Sequence, residues 1–184
     1  ITTSRADFHD RLKLLRQHGM SVNDRLRHES KDLIFEDHLE IGYNYRMTDI
    51  QASVGIEQLK KIDQIIAERR KIAKEYIKAF SNIESIELPL EKTGYKSNYQ
   101  SFSIILKRNC KIKRNDLMQR LLGLGISTRR GIMTAHQETA YSKTKIRLPI
   151  SESLRDNSII IPLFNKMSKN QISHIIKCVV KLLS

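Results

Sequence analysis

The sequence predicts an α+β fold in which a long helix precedes a small, mostly antiparallel sheet with flanking helices. Residues 48–80 carry apolar side chains at helical spacing. Two later runs, YQSFSIIL at residues 99–106 and SIIIPL at 158–163, are rich in the β-branched and aromatic residues typical of strands. From residue 83 onward the predicted order is β-β-α-β-β-α, which favours one sheet with helices packed against it.

The first elements are predicted to be a helix and then an irregular stretch. Residues 6–18 have apolar side chains at helical spacing, and Gly19 supplies a stop signal. Residues 20–46 show no sustained period, so we expect loop with short elements. Irregular segments of this length usually have a function or are packed against something outside the segment.

The clearest helix begins at a capping box. Thr48 can cap the helix while Gln51 reaches back to it, and the helical pattern continues to Phe80. Because so long a helix is unusual in a small domain, we expect a bend or break at residues 59–63. The apolar positions cover more than one stripe, which predicts burial by a larger body or by a partner chain.

The second half of the chain is predicted to alternate strands and helices. We expect strands at 85–88, 99–106, 126–130 and 158–163, a helix at 116–122, and loop with a short helical turn at 133–157. A second capping box, Ser168 with Gln171, begins a final helix whose inward residues are predicted to be Ile172, Ile175, Ile176, Val179 and Leu183. We predict two regions: 1–82, the helical end of a large domain with the long interdomain helix, and 83–184, a small α+β domain.

The composition excludes several classes of protein. The 184 residues include 33 Lys and Arg against 20 Asp and Glu, a net charge of +13, yet the basic clusters, such as KIKR at 111–114, are short and aromatics are only 6%. These features disfavour a nucleic-acid partner; a solvated basic surface or a pocket for a phosphorylated small molecule explains the charge equally well. No apolar run approaches the ~20 residues of a membrane span, and two cysteines make neither a disulfide framework nor a zinc site. We therefore expect a cytoplasmic protein without a metal, a membrane or a nucleic-acid partner.

The segment EIGYNYRMTD at residues 40–49 is the first candidate site. Asn44 and Arg46 offer neutral and charged donors of the kind that bind phosphate, and a helix N-terminus follows directly. The alternative is that the tyrosines pack, Asn44 occupies a turn and Arg46 pairs with a carboxylate. The residue types alone leave both interpretations open.

His136 is the second candidate. It lies in GIMTAHQETAY, a stretch without periodicity between predicted strands, where binding residues are often found. A structural or solvent-facing role is the alternative. His9, His18, His28 and His38 are about ten residues apart, which matches neither one helix face nor the spacing of metal ligands.

Several of these segments together resemble the DegT/DnrJ/StrS family, the pyridoxal-phosphate-dependent sugar aminotransferases of fold type I. The motifs that carry the resemblance are GYNYRMTDIQASVG at 42–55, GISTRRGIM at 125–133, LPISE at 148–152 and IIIPLF at 159–164, together with His136, Glu138 and Tyr141. The resemblance extends over nearly the whole chain but only over the C-terminal half of such an enzyme. It implies the C-terminal small domain of a fold type I aminotransferase.

The resemblance also implies roles for individual residues. The lysine that bonds to pyridoxal phosphate in this family lies before Ile1, so we assign no catalytic residue here and expect the chain to be inactive alone. Asn44 is expected to bind the cofactor phosphate across a homodimer interface, with Arg46 beside it. Tyr43, His136 and Tyr141 are expected to contact substrate.

The activity that the resemblance implies is transfer of an amino group from an amino acid, glutamate in our expectation, to a ketosugar nucleotide in polysaccharide biosynthesis. The alternative is a non-catalytic dimerising or interaction domain derived from that family.

Overall fold

The computed structural model describes residues 1–22, 35, 37–141 and 146–184. Contacts divide the chain into two compact units, Ile1–Lys60 and Lys61–Ser184. Much of the predicted irregular stretch at 20–46, including His28, lies outside the described residues.

The part of the first unit that the structure describes, residues 1–22, 35 and 37–60, contains two helices. Helix α1 is Ala6–Leu15, three residues shorter than the predicted span of 6–18, and helix α2 is Asp49–Leu59. The predicted capping box of α2 is confirmed: Thr48 Oγ1 accepts from the Gln51 backbone N–H at 3.3 Å, and the Thr48 N–H donates to Gln51 Oε1 at 3.0 Å. This reciprocal pair satisfies two backbone donors at the start of the helix and sets where it begins.

The predicted break in the long helix is also confirmed. Helix α2 ends at Leu59, and helix α3, Ile62–Phe80, begins after an interruption at Lys60 and Lys61. The division between the two units falls at this interruption, not at the predicted boundary after residue 82. Helix α3 belongs with the second unit because Ile72, Ala73, Tyr76 and Phe80 are buried in that unit's core.

The second unit is built around a four-stranded sheet. Its strands are β1 (Ile86–Glu87), β2 (Phe102–Leu106), β3 (Arg129–Arg130) and β4 (Ser158–Ile161). The spatial order is β1-β2-β4-β3, and every pairing is antiparallel. Four strands were predicted at these places, and each is shorter than its predicted span.

The described residues of this unit also form three further α-helices, which are α4 (Arg114–Gly123), α5 (Pro149–Asn157) and α6 (Lys169–Leu183). Helix α6 begins at the predicted capping box of Ser168 and Gln171. Four of its five predicted inward residues are buried. Ile176 is only half-buried, and Cys178 is buried on the same helix.

The core lies between the sheet and the helices of the second unit. Along β2 the residues alternate, with Phe102, Ile104 and Leu106 buried and the two residues between them half-buried. The Tyr76 ring packs edge-on against Phe102, and its hydroxyl donates to the Pro162 carbonyl at 2.9 Å. Burial, the largest cause, raises the pKa of this phenol.

Helix α5 corrects the prediction of loop with a short turn at residues 133–157. The structure has two 3₁₀ turns, Ala135–Gln137 and Thr139–Tyr141, and then the nine-residue helix α5. No residue of α5 is buried, and its nine residues include only two large aliphatic side chains, Ile150 and Leu154, which is too short an apolar pattern to predict a helix. Its start signals are Pro149 and the acidic residue Glu152, both in the first turn.

Candidate functional site

The first candidate site is a short segment of extended chain, residues 42–46, that lies against the end of α1. The Tyr43 N–H donates to the Leu15 carbonyl at 2.6 Å, and the Tyr45 N–H donates to the Arg16 carbonyl at 2.9 Å. Gln17 and Asn44 pair in an antiparallel bridge between these contacts. The backbone that carries the predicted phosphate-binding residues is therefore held by hydrogen bonds on both sides of Asn44. We call residues 42–46 the polar corner.

Two glycines allow this close approach. A Cβ on Gly42 would come within 2.1 Å of the Gly19 nitrogen and 2.4 Å of the His18 carbonyl carbon. A Cβ on Gly19 would come within 2.0 Å of the Glu40 carbonyl oxygen, and the φ of Gly19 is +71°. Both positions therefore require glycine.

Side chains of the polar corner alternate as they do in a strand. The Tyr43 and Tyr45 rings stack with centroids 5.1 Å apart and planes 6° from parallel. Asn44 and Arg46 alternate with the two tyrosines along the chain. Both are exposed, and Arg46 Nε lies 3.5 Å from Asn44 Oδ1. An alternating backbone thus sends the tyrosines to one side and the two anion-binding candidates to the other.

The N-terminus of α2 follows the polar corner. Thr48 caps the helix, and the helix dipole places positive potential at this end. No residue of α2 is buried within the described parts of the chain, although the helix carries Ile50, Val54, Ile56 and Leu59. The helix therefore has a large solvent-exposed apolar surface, next in sequence to a polar corner suited to an anion.

The second candidate site lies in the other unit, where the loop after β3 contacts α5. His136 Nε2 lies 3.1 Å from Glu152 Oε1, and the same carboxylate oxygen accepts from the Leu148 backbone N–H at 2.9 Å. The pKa of Glu152 is held below its ordinary value, mainly by the hydrogen bond from the Leu148 N–H and next by the contact with His136. His136 and Glu152 are both largely shielded, with side-chain exposures of 10% and 22%.

A second set of contacts holds this loop in place. Gln137 Oε1 accepts from Thr134 Oγ1 at 2.6 Å and from Arg155 Nη1 at 2.9 Å. The chain then turns through the second 3₁₀ helix, and Tyr141 at its end is exposed. The loop is thus tied to α5 at two points, through Glu152 and through Arg155.

The predicted site residues divide between the two units. Tyr43, Asn44 and Arg46 lie together in the polar corner, whereas His136 and Tyr141 lie in the loop between β3 and α5. Their roles stay predictions.

Sequence reasoning did not select Glu152, the residue that His136 contacts. The signal available for it was its place in the first turn of α5, three residues after Pro149, where a carboxylate can reach back to a free backbone N–H.

Two classes of site have no support in the residues that the structure describes. Within those ranges, no group of three or more His, Cys, Asp or Glu side chains could hold a metal ion. Nor is any helix there both long and apolar enough to cross a bilayer.

The fold is that of the C-terminal part of a sugar aminotransferase. The putative sugar aminotransferase Spr1654 from Streptococcus pneumoniae, solved in its PLP form, superimposes with a TM-score of 0.79 at 23% identity, covering 99% of this chain and 46% of that one. The chain belongs to the DegT/DnrJ/EryC1/StrS aminotransferase family, whose model matches residues 1–180. The predicted family and the predicted fold class are both confirmed.

Two curated relatives show how much of such a protein is present. MJ1066 of Methanocaldococcus jannaschii, an uncharacterised protein, is 31% identical over 189 residues, which cover all of this chain and 49% of that protein. The UDP-4-amino-4,6-dideoxy-N-acetyl-beta-L-altrosamine transaminase of Campylobacter jejuni (serotype O:2) is 28% identical over 170 residues, 91% of this chain and 43% of that enzyme. The chain spans about half the length of the curated relatives it matches.

Proposed function

We propose that this chain is the C-terminal portion of a pyridoxal-phosphate-dependent aminotransferase that moves an amino group from an amino acid to a ketosugar nucleotide. The observation that carries the proposal is the family match over residues 1–180, together with an exposed polar corner at a helix N-terminus. The chain covers about half of its relatives, which supports a shared site completed by other protein segments.

The polar corner fits the phosphate of the cofactor. Asn44 and Arg46 are exposed side chains on a backbone held by α1, and the helix dipole of α2 adds positive potential. In this proposal the Asn44 amide and the Arg46 guanidinium bind the phosphate. When bound, pyridoxal phosphate supplies the electron sink for amino transfer.

The substrate side of the proposal rests on Tyr43, His136 and Tyr141. Tyr43 presents a half-exposed ring with a hydroxyl, stacked on Tyr45, and Tyr141 is similarly exposed. The Campylobacter relative is named for a UDP-linked amino sugar, which supports a nucleotide sugar as the substrate class. Glutamate is proposed as the amino donor.

Homodimer formation is part of the same proposal. Ile50, Val54, Ile56 and Leu59 are each more than half exposed on α2, and water-exposed apolar surface of this kind marks an interaction site. A second copy of the enzyme would cover part of this helix and receive Asn44 at its cofactor.

Covalent trapping of the cofactor tests whether the lysine that bonds to it lies outside this chain, as the proposal requires. The 184-residue chain is mixed with pyridoxal phosphate, reduced with borohydride and analysed by intact mass, with a full-length homologous aminotransferase as positive control. We expect a stoichiometric lysine adduct in the control and none in this chain. A stoichiometric adduct on any lysine of this chain would overturn the assignment of that lysine to another segment.

A non-catalytic dimerising domain is the second candidate. The exposed apolar residues of α2 favour it, because they suit a protein-protein interface without requiring chemistry. Restoration of transaminase activity when the chain is combined with an N-terminal half from the same gene region would exclude it.

A further inference from the structure

A single carboxylate oxygen joins the loop of His136 to the start of α5. Glu152 Oε1 accepts the Leu148 backbone N–H at 2.9 Å and lies 3.1 Å from His136 Nε2. The Leu148 amide belongs to the residue that caps α5, so the helix start and the imidazole share one acceptor. The position of the ring is therefore coupled to the helix.

The chemistry of this contact decides where the imidazole proton lies. A carboxylate is an acceptor only, so a hydrogen bond between His136 and Glu152 requires the proton on Nε2. The pKa of Glu152 is lowered chiefly by the hydrogen bond from the Leu148 N–H and then by His136. The Glu152 side chain is therefore ionised at neutral pH. Arg147 acts on the carboxylate in the same direction.

The other ring nitrogen is left for a ligand. Nδ1 of His136 has no hydrogen bond to residues 1–22, 35, 37–141 or 146–184, and it does not belong to the buried polar atoms without partners. The side chain as a whole is 10% exposed. With Nε2 protonated, Nδ1 of the neutral ring is a hydrogen-bond acceptor.

We propose that Glu152 is a positioning residue that holds His136 in the tautomer with the proton on Nε2 and so keeps Nδ1 as a hydrogen-bond acceptor for a ligand. The ligand side of this inference rests on the proposed function, in which His136 contacts the nucleotide sugar; its partner would be a sugar hydroxyl or a base N–H. The tautomer itself depends only on the contact between His136 and Glu152.

Two variants of Glu152 separate positioning from packing. Both donors use the same oxygen, so Glu152→Gln keeps an acceptor for each of them in its amide oxygen, without the charge. Glu152→Ala removes the acceptor altogether. If positioning is the role, the Gln variant retains the tautomer and the Ala variant loses it.

The experiment is ¹⁵N–¹H correlation spectroscopy of the imidazoles in the histidine-labelled chain at about pH 8, above the ordinary histidine pKa, with His136 assigned by its loss in His136→Asn. We expect a single tautomer with the proton on Nε2 in the wild type and in Glu152→Gln, and a mixture of tautomers in Glu152→Ala. A wild-type proton on Nδ1, an averaged wild-type signal, or an unchanged tautomer in Glu152→Ala overturns the proposal.

A folding control accompanies the spectra. If Glu152→Ala does not fold, as circular dichroism would show, a proton on Nδ1 or an averaged signal in the wild type or in Glu152→Gln still overturns the proposal. None of these measurements uses cofactor or substrate. Their failure would remove the role of Glu152 and leave the aminotransferase proposal to the trapping experiment.

Discussion

Gly42 lies against the backbone of Gly19, and a Cβ on Gly42 would come within 2.1 Å of the Gly19 nitrogen. The atoms in the way are backbone, not the flexible end of a side chain, so they cannot move aside cheaply. This contact brings the polar corner to the end of α1 and lets Asn44 pair with Gln17. The phosphate-binding hypothesis therefore depends on two glycines that would not touch the phosphate.

Gly42→Ala should disrupt the first unit. We expect destabilisation of about 1–3 kcal/mol, typical of overpacking, with loss of the hydrogen bonds around Tyr43. Amide hydrogen exchange of residues 15–20 and 43–45 measures it.

Gly55→Ala is the matched control for that change. Gly55 lies in α2, and a Cβ added there would have no other atom within 4 Å, so alanine should stabilise the helix by about 0.5–1 kcal/mol. Equal exchange protection in both variants would contradict the role given to Gly42.

Asn44→Ala and Arg46→Ala should weaken cofactor binding in the assembled aminotransferase. Loss of a hydrogen bond to a charged group costs about 1.5–3 kcal/mol, so the Kd for pyridoxal phosphate should rise about 10- to 150-fold in each variant. Equilibrium dialysis measures it.

Lys60→Ala serves as the charge control for Arg46. Lys60 is an exposed cation that pairs with Glu57 after the end of α2, and it has no part in the polar corner. We expect the Kd of the Lys60→Ala variant for pyridoxal phosphate to be unchanged. An equal loss in Lys60→Ala and Arg46→Ala would indicate a general charge effect.

Tyr76→Phe should destabilise the second unit. Tyr76 is fully buried and donates to the Pro162 carbonyl, so removal of the hydroxyl leaves a carbonyl without its donor and should cost about 1–3 kcal/mol. Urea unfolding followed by circular dichroism measures the change. Tyr95→Phe, at a ring that is 75% exposed, should leave the midpoint unchanged. Similar midpoints for the two variants would argue against the buried hydrogen bond.

Glu152 should make the stability of the second unit depend on pH. Its pKa is lowered in the folded protein, so its contribution is present above the unfolded value of about 4.3 and is lost as pH falls through the folded value. The difference in stability between wild type and Glu152→Gln should therefore shrink on acidification. Thermal midpoints between about pH 7 and pH 3 measure it, and parallel curves for the two proteins would contradict the assignment.

Ile50→Lys should weaken the proposed homodimer. Ile50 is 80% exposed on α2, so the substitution removes apolar surface without opening a cavity in the monomer. Sedimentation velocity of the assembled enzyme should show a shift towards monomer. Glu57→Gln changes a charge on the same helix without loss of apolar surface and should leave the dimer intact. If the dimers of both variants dissociated, the change in charge and not the loss of apolar surface would explain the result.

The elements that sequence alone determined are those specified by neighbours in the chain. Thr48 with Gln51 and Ser168 with Gln171 begin helices because each capping box needs only residues three apart. The strand at Phe102–Leu106 followed from its own apolar pattern. The family, too, could be inferred from contiguous motifs such as GYNYRM.

What only the tertiary structure decided involves partners distant in sequence. Helix α5 has no buried residue, and its two large aliphatic side chains, Ile150 and Leu154, make too short a pattern to predict a helix. Ile176 was predicted to be buried and Cys178 was not selected, because helical period alone does not say which neighbours cover the edge of a face. Glu152 meets His136 across 16 residues, and Gly42 meets His18 across 24 residues. Hydrogen-bond partners and steric clashes are properties of distances in space, and a local pattern does not specify those distances.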